Sequence, residues 1–219
     1  MRRHLINAGR RTPKHRLPDN LFSVTRNYID VNNIICPKCG RPMAYVPTSE
    51  VHGDNAGGGK MLMCREDDVY CRTRKTNSGK VYLVSTPADA KLRKLRQEAH
   101  FYFNQLISKD VFTGIDNAYE WLSQEIGFMY LGRNSLRHIG EFDEVLCRKT
   151  VRICIQKLIE NPEKINGRII VFTGENSYSW NDKYIRKQLA EFRDAWAAKM
   201  QTEEEIEEEE YEEELIDAE

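Results

Sequence analysis

Cysteines set two residues apart are the first candidates for chemistry in this chain. Cys36-Pro37-Lys38-Cys39-Gly40 has the form of a zinc knuckle. Two thiolates at that spacing turn onto one ion, and a glycine after the second lets the backbone tighten around the sulfurs. A tetrahedral site needs two more ligands. Cys64 is the obvious third, and Cys71 is the expected fourth, because thiolates suit structural zinc better than a carboxylate does. A regular second knuckle would carry cysteine three residues beyond Cys64, where this chain has Asp67; Asp67 and His52 are the alternative fourth ligands. The expectation is one structural Zn2+ on Cys36, Cys39, Cys64 and Cys71. A catalytic zinc would instead keep a water-filled position beside an acid or base such as Glu66, Asp67 or Asp68.

The elements around these cysteines read as a zinc ribbon. Met43 to Val46 is a strand, a polar loop runs through His52 to Gly57-Gly58-Gly59, and Lys60 to Met63 returns as a strand into Cys64. So small a sheet buries too little to fold alone, and metal binding supplies much of its folding free energy. Helices follow. Thr86-Pro87-Ala88-Asp89 reads as a start, with Thr86 as N-cap, for a helix to about Ser108 that turns Leu92, Leu95, Ala99, Tyr102, Phe103 and Leu106 to one side. A second helix follows Asp116 and stops at Gly127; a third follows Asp143 and ends at Asn161-Pro162. Cys147 and Cys154 share a face of that third helix and read as small buried hydrophobes. Arg168 to Phe172 is β-rich and predicts an added strand, Asn176 to Asn181 a loop, and Asp182 to Met200 an amphipathic helix.

The fold class is therefore α+β: a small zinc-ribbon β module packed on a mainly helical domain, with a basic N-terminal arm and an acidic C-terminal tail. The segments are 1–30 (basic flexible arm), 31–85 (zinc-ribbon-like module), 86–160 (helical domain), 161–200 (strand and amphipathic helix) and 201–219 (acidic disordered tail). Charge follows the same division. The net charge of −1 conceals 12 acidic residues and no Lys or Arg from Met200 onward. Without them 22 acidic residues face 33 Lys and Arg, so the rest of the chain carries about +11. Arg2, Arg3, Arg10, Arg11 and Lys14 in the arm, with Arg65, Arg72, Arg74 and Lys75 in the ribbon, are the candidate nucleic-acid contacts. Tyr70 and Tyr82 lie among the latter and could stack bases.

Four blocks in order carry a family resemblance. They are residues 87–100 (PADAKLRKLRQEAH), Ala118-Tyr119-Glu120-Trp121-Leu122, His138-Ile139-Gly140-Glu141-Phe142-Asp143 and Cys147-Arg148, downstream of the Cys36/Cys39 knuckle. Over about residues 34–160 the chain resembles the phage and bacterial zinc-finger-containing domain family of unknown function. The resemblance implies a zinc protein of phage or prophage origin and lends no activity. The family's second knuckle is normally a Cys-x-x-Cys pair; here it is Cys64 with Asp67.

No Ser-His-Asp order, phosphate-binding glycine loop or paired-carboxylate nuclease pattern is visible. His100 sits among apolar neighbours and His138 in a turn, so both read as packing or loop-pinning residues, and no catalytic residue is assigned. The expectation is a non-enzymatic, phage-encoded zinc protein that binds nucleic acid non-specifically, its acidic tail modulating that binding or recruiting a partner. The alternative is a protein–protein adaptor or inhibitor of host polymerase or defence machinery in which zinc only staples the fold. No apolar leader or membrane span is apparent, and cysteines at metal-binding spacing suit a reducing compartment, which makes the host cytoplasm the expected location. No membrane and no small-molecule substrate are expected as partners.

Overall fold

The computed structural model describes residues 33–54, 58–127, 138–174 and 177–217, with side chains described as far as residue 203. The basic arm, including Arg2, Arg3, Arg10, Arg11 and Lys14, lies outside the described residues.

Four strands form one antiparallel sheet in sequence order: β1 (Ala44–Pro47), β2 (Lys60–Cys64), β3 (Val69–Lys75) and β4 (Val81–Leu83). A short helix, α1 (Thr48–His52), fills the β1–β2 connection. Tyr45 pairs with Leu62, Leu62 with Cys71, and Arg74 with Tyr82. The alternation of strand side chains turns Leu62, Val69 and Cys71 onto a miniature core with Cys36, Met43 and Cys64. The larger core belongs to the helices. α2 (Ala90–Ser108) packs chiefly on α4 (Glu144–Ile159), with α3 (Ile115–Ile126) beside them. Tyr102, Phe103, Leu106, Leu122, Ile155 and Leu158 close it, each at most 1% exposed. Cys147 and Cys154 lie in this core at 0% exposure, as small hydrophobes.

Two caps fall as the sequence suggests: Asp143 accepts from Leu146 N–H at the start of α4, and Gly127 ends α3 in the left-handed region. The start of α2 is corrected. Asp89, not Thr86, caps it, accepting from Leu92 N–H. The reason is that residues 86–88 are committed to joining the two units. Ala88 exchanges both backbone hydrogen bonds with Tyr70 on β3, and Thr86 gives its carbonyl and hydroxyl oxygens to Arg96. Arg96 also donates through Nε to the Phe142 carbonyl at 2.8 Å. Arg93 lies 3.6 Å above the Tyr70 ring while pairing with Asp68, a second tie between ribbon and helices.

Three further expectations change. Arg168 to Phe172 forms no strand; it runs irregularly because side chains take its backbone groups. Gln105 both donates to and accepts from Ile170, and the Tyr102 hydroxyl accepts from Phe172 N–H. Residues 178–181, expected as loop, form a one-turn helix, α5 (Tyr178–Asn181), capped by Ser177 and by the buried Glu98 carboxylate, which accepts from Ser177, Tyr178 and Ser179. The last helix, α6 (Lys183–Asp217), runs on through the segment expected to be disordered. Glutamate is a good helix former, and turns already nucleated by packing propagate at one hydrogen bond per residue, which outweighs repulsion between like charges. Gly167, at φ +60°, receives the Trp196 indole of α6 where a β-carbon would otherwise stand.

Candidate metal centre

Cys36 and Cys39 sit on the turn closed by an isolated bridge between Ile35 and Pro42, just before β1, while Cys64 ends β2 and Asp67 lies in the β2–β3 turn. In the first turn Cys36 N–H donates to Arg41 and Gly40 N–H to Cys36, and Gly40 takes φ +74°, a conformation that favours glycine. Asp68, at φ +49°, turns the chain sharply into β3. Both knuckles thus face each other from neighbouring hairpin ends.

Ligand atoms of Cys36, Cys39, Cys64 and Asp67 all lie within 4.8 Å of one another. Cys39 Sγ is 3.7 Å from Cys64 Sγ, Cys36 Sγ is 3.7 Å from Asp67 Oδ2, and Cys64 Sγ is 3.6 Å from the same oxygen. A tetrahedron with metal–sulfur bonds of ~2.3 Å has sulfur–sulfur edges of ~3.8 Å, so this cluster has the dimensions of a zinc site. Burial raises the pKa of Cys36, but backbone N–H groups of Cys39 and Lys38 aimed at its sulfur, with its cluster neighbours, bring it below the ordinary thiol value. The Asp67 carboxylate, accepting from Cys39, holds that thiol's proton and pushes it up to about 12; the same bond lowers Asp67. A metal ion would replace that shared proton and take all three sulfurs as thiolates. Lys38 stands 3.9 Å from Asp67, and Arg41 pairs with Glu66 at the rim.

The residue that the structure gathers with the three cysteines is Asp67, not the expected Cys71. Cys71 sits in mid-β3, 2% exposed, opposite Leu62 and beneath the cluster, with its pKa pushed up to about 12 by burial. It fills the ribbon core as a hydrophobe. His52 is also outside the cluster; its ring meets Tyr70 edge-on at 5.4 Å. The signal that finds Asp67 is its spacing: it occupies the position a regular second knuckle gives to cysteine.

The comparisons with known proteins agree with this geometry. A family model described as a zinc-finger-containing domain matches residues 32–157. The chain belongs to that family. No curated protein and no solved structure matches it. The matched span of this zinc-finger-containing domain runs from just before the first knuckle to the end of α4, so the family unit is the ribbon and the three helices together. No helix among the described residues is long and apolar enough to cross a membrane.

The remaining sequence candidates separate by their partners. Arg65 is ion-paired with Glu50, as Arg41 is with Glu66 and Arg93 with Asp68. Arg72, Arg74 and Lys75 are exposed and make no ion pair among the described residues. The His100 and His138 rings meet at a tilt of 48° with centroids 5.0 Å apart, and the Tyr119 ring lies 5.6 Å from His138. Burial, then His138 and Arg96, push His100 down to about 4, and His138 Nδ1 accepts from Gly140 N–H to cap a 3-10 turn at Ile139–Glu141. Both act as packed residues.

Proposed function

We propose that this zinc-finger protein is phage-encoded and non-enzymatic, and that it binds nucleic acid through the β3–β4 hairpin of its ribbon, one structural zinc holding the hairpin in place. The observation that carries this reading is the distribution of unneutralised charge. Arginines on the knuckle side are spent on Glu50, Glu66 and Asp68, whereas Arg72, Arg74 and Lys75 stand exposed on a strand whose surroundings, residues 69–88, contain no acidic residue. Such a hairpin neutralises phosphates and releases their counterions, an interaction without sequence preference. The acidic end of α6 opposes that binding by competing for the same cations and by repelling phosphates.

Fluorescence anisotropy with labelled single- and double-stranded oligonucleotides tests it. Replacing Arg72, Arg74 and Lys75 by alanine removes three phosphate contacts and should flatten the slope of log K against log salt by about 2–3. Zinc content should not change, and deletion of residues 202–219 should tighten binding. Absence of binding by the tail-less protein at low salt would refute the proposal.

A further inference from the structure

A cavity of about 320 Å³ lies between residues 167–171 and the first half of α6, far along the chain from the ribbon. Its floor is Ile169, Val171, Leu189 and Phe192, with Trp180 61% exposed at one wall. Arg168, Arg186 and Arg193 rim it, and no carboxylate lines it. Among the described residues Arg193 has only its neighbour Asp194 as an ion partner, and that pair is solvated. An exposed indole over an apolar floor ringed by guanidinium groups fits an acidic amphipathic helix.

The chain itself supplies an acidic helix, with Tyr211 and Leu215 four residues apart on one face. From Glu203 to Asp217 every charged residue of α6 is acidic, with Ile206, Tyr211, Leu215 and Ile216 interspersed. It cannot reach its own groove. α6 is continuous, so Glu203 lies ~15 Å along the axis beyond Arg193, and every later residue lies farther away. A second copy can. Two α6 helices laid antiparallel and overlapping from end to end are centred on Met200, the midpoint of 183–217. That register brings position 217 level with 183, 214 with 186, 213 with 187 and 207 with 193: Asp217 with Lys183, Glu214 with Arg186, Glu213 with Lys187, and Glu207 with Arg193. It also sets Tyr211 level with Leu189 on the groove floor. Glu191 meets Glu209, the one like-charged pair over this stretch. This end-to-end alignment thus opposes charges at four positions and matches like charges at one, each pairing made twice by symmetry.

We propose that the protein forms a twofold dimer in which the acidic half of each α6 occupies the arginine-rimmed groove of the other copy. Analytical ultracentrifugation of the full-length zinc-loaded chain tests this. Wild type should be dimeric at low salt, with the dimer weakened at least ~10-fold by high salt. The Arg186→Glu/Arg193→Glu variant and the Glu207→Arg/Glu214→Arg variant should each be monomeric, and an equimolar mixture should restore a dimer, because each variant's tail then matches the other's groove. The substituted groove arginines are exposed, and helical content by circular dichroism verifies folding. A monomeric wild type at low salt, or a mixture that stays monomeric, overturns the proposal. So does a wild type whose groove substitutions lower affinity for nucleic acid and leave its mass unchanged, which would make the groove a nucleic-acid site.

Discussion

Arg96 is where the ribbon and the helical body can be separated by a single substitution. Its side chain leaves α2, lies 7% exposed, and donates to Thr86 at the ribbon's exit and to the Phe142 carbonyl beside α4. Burial lowers its pKa, yet it remains a cation at every working pH. In Arg96→Met the hydrophobic stem is kept and the donors vanish. Thr86 is exposed, so water replaces the two bonds there, at a cost of about 0.5–1 kcal/mol each. The bond to Phe142 is buried, and losing a charged donor to a buried carbonyl costs about 1.5–3 kcal/mol. Relief of the arginine's own desolvation offsets part of this, leaving about 2–4 kcal/mol. Urea unfolding followed by circular dichroism, with zinc saturating, should show that loss; Arg96→Lys should recover less than half of it, because one ammonium cannot span three acceptors. A second expectation is loss of a single transition, the ribbon unfolding before the helices. A change below about 0.5 kcal/mol with one transition retained would mean that the Tyr70–Ala88 bridge and Arg93 carry the junction and that the reasoning about Arg96 is wrong.

Three further outcomes follow from the centre and the core. Cys71→Ser should leave metal content unchanged while lowering stability by about 1–3 kcal/mol, since a hydroxyl is buried where a thiol packed; Asp67→Ala should lower zinc affinity, and Asp67→Cys should restore it, all measured by competition with a chromophoric chelator. His100, neutral in the fold with a pKa near 4 against 6.5 unfolded, binds its proton more readily in the unfolded chain. Stability is therefore complete above about pH 6.5 and falls as the pH drops toward 4, by at most about 3 kcal/mol; His100→Phe should flatten that limb of the stability–pH profile in chemical denaturation.

The parts of the molecule that were legible in sequence are those fixed by local chemistry. A cysteine pair followed by glycine dictates a knuckle whatever surrounds it, and Asp143 and Gly127 cap their helices by contacts within a few residues. The misreadings share one cause, a residue answering to something distant. Thr86 has the right type and spacing for an N-cap, but its oxygens are claimed by Arg96. Cys71 has the right chemistry for a ligand, but pairing with Leu62 places it in mid-strand, beneath the site. Residues 168–172 have strand composition, yet the groups that satisfy their backbone are a glutamine and a tyrosine on α2, about 65–70 positions earlier, which no periodicity reveals. Asp67 itself was visible as a spacing; what the sequence lacked was the turn at Asp68 that carries the carboxylate to the sulfurs.

The contact of Trp196 with Gly167 works by subtraction: a missing side chain makes room for the largest one. Any L-residue at 167 would have to evict the indole, so the seat of the long helix is keyed at one point. With Trp121 and Trp180 replaced by phenylalanine, the remaining indole's emission becomes a gauge of that seating, separate from the health of the ribbon, which holds no tryptophan.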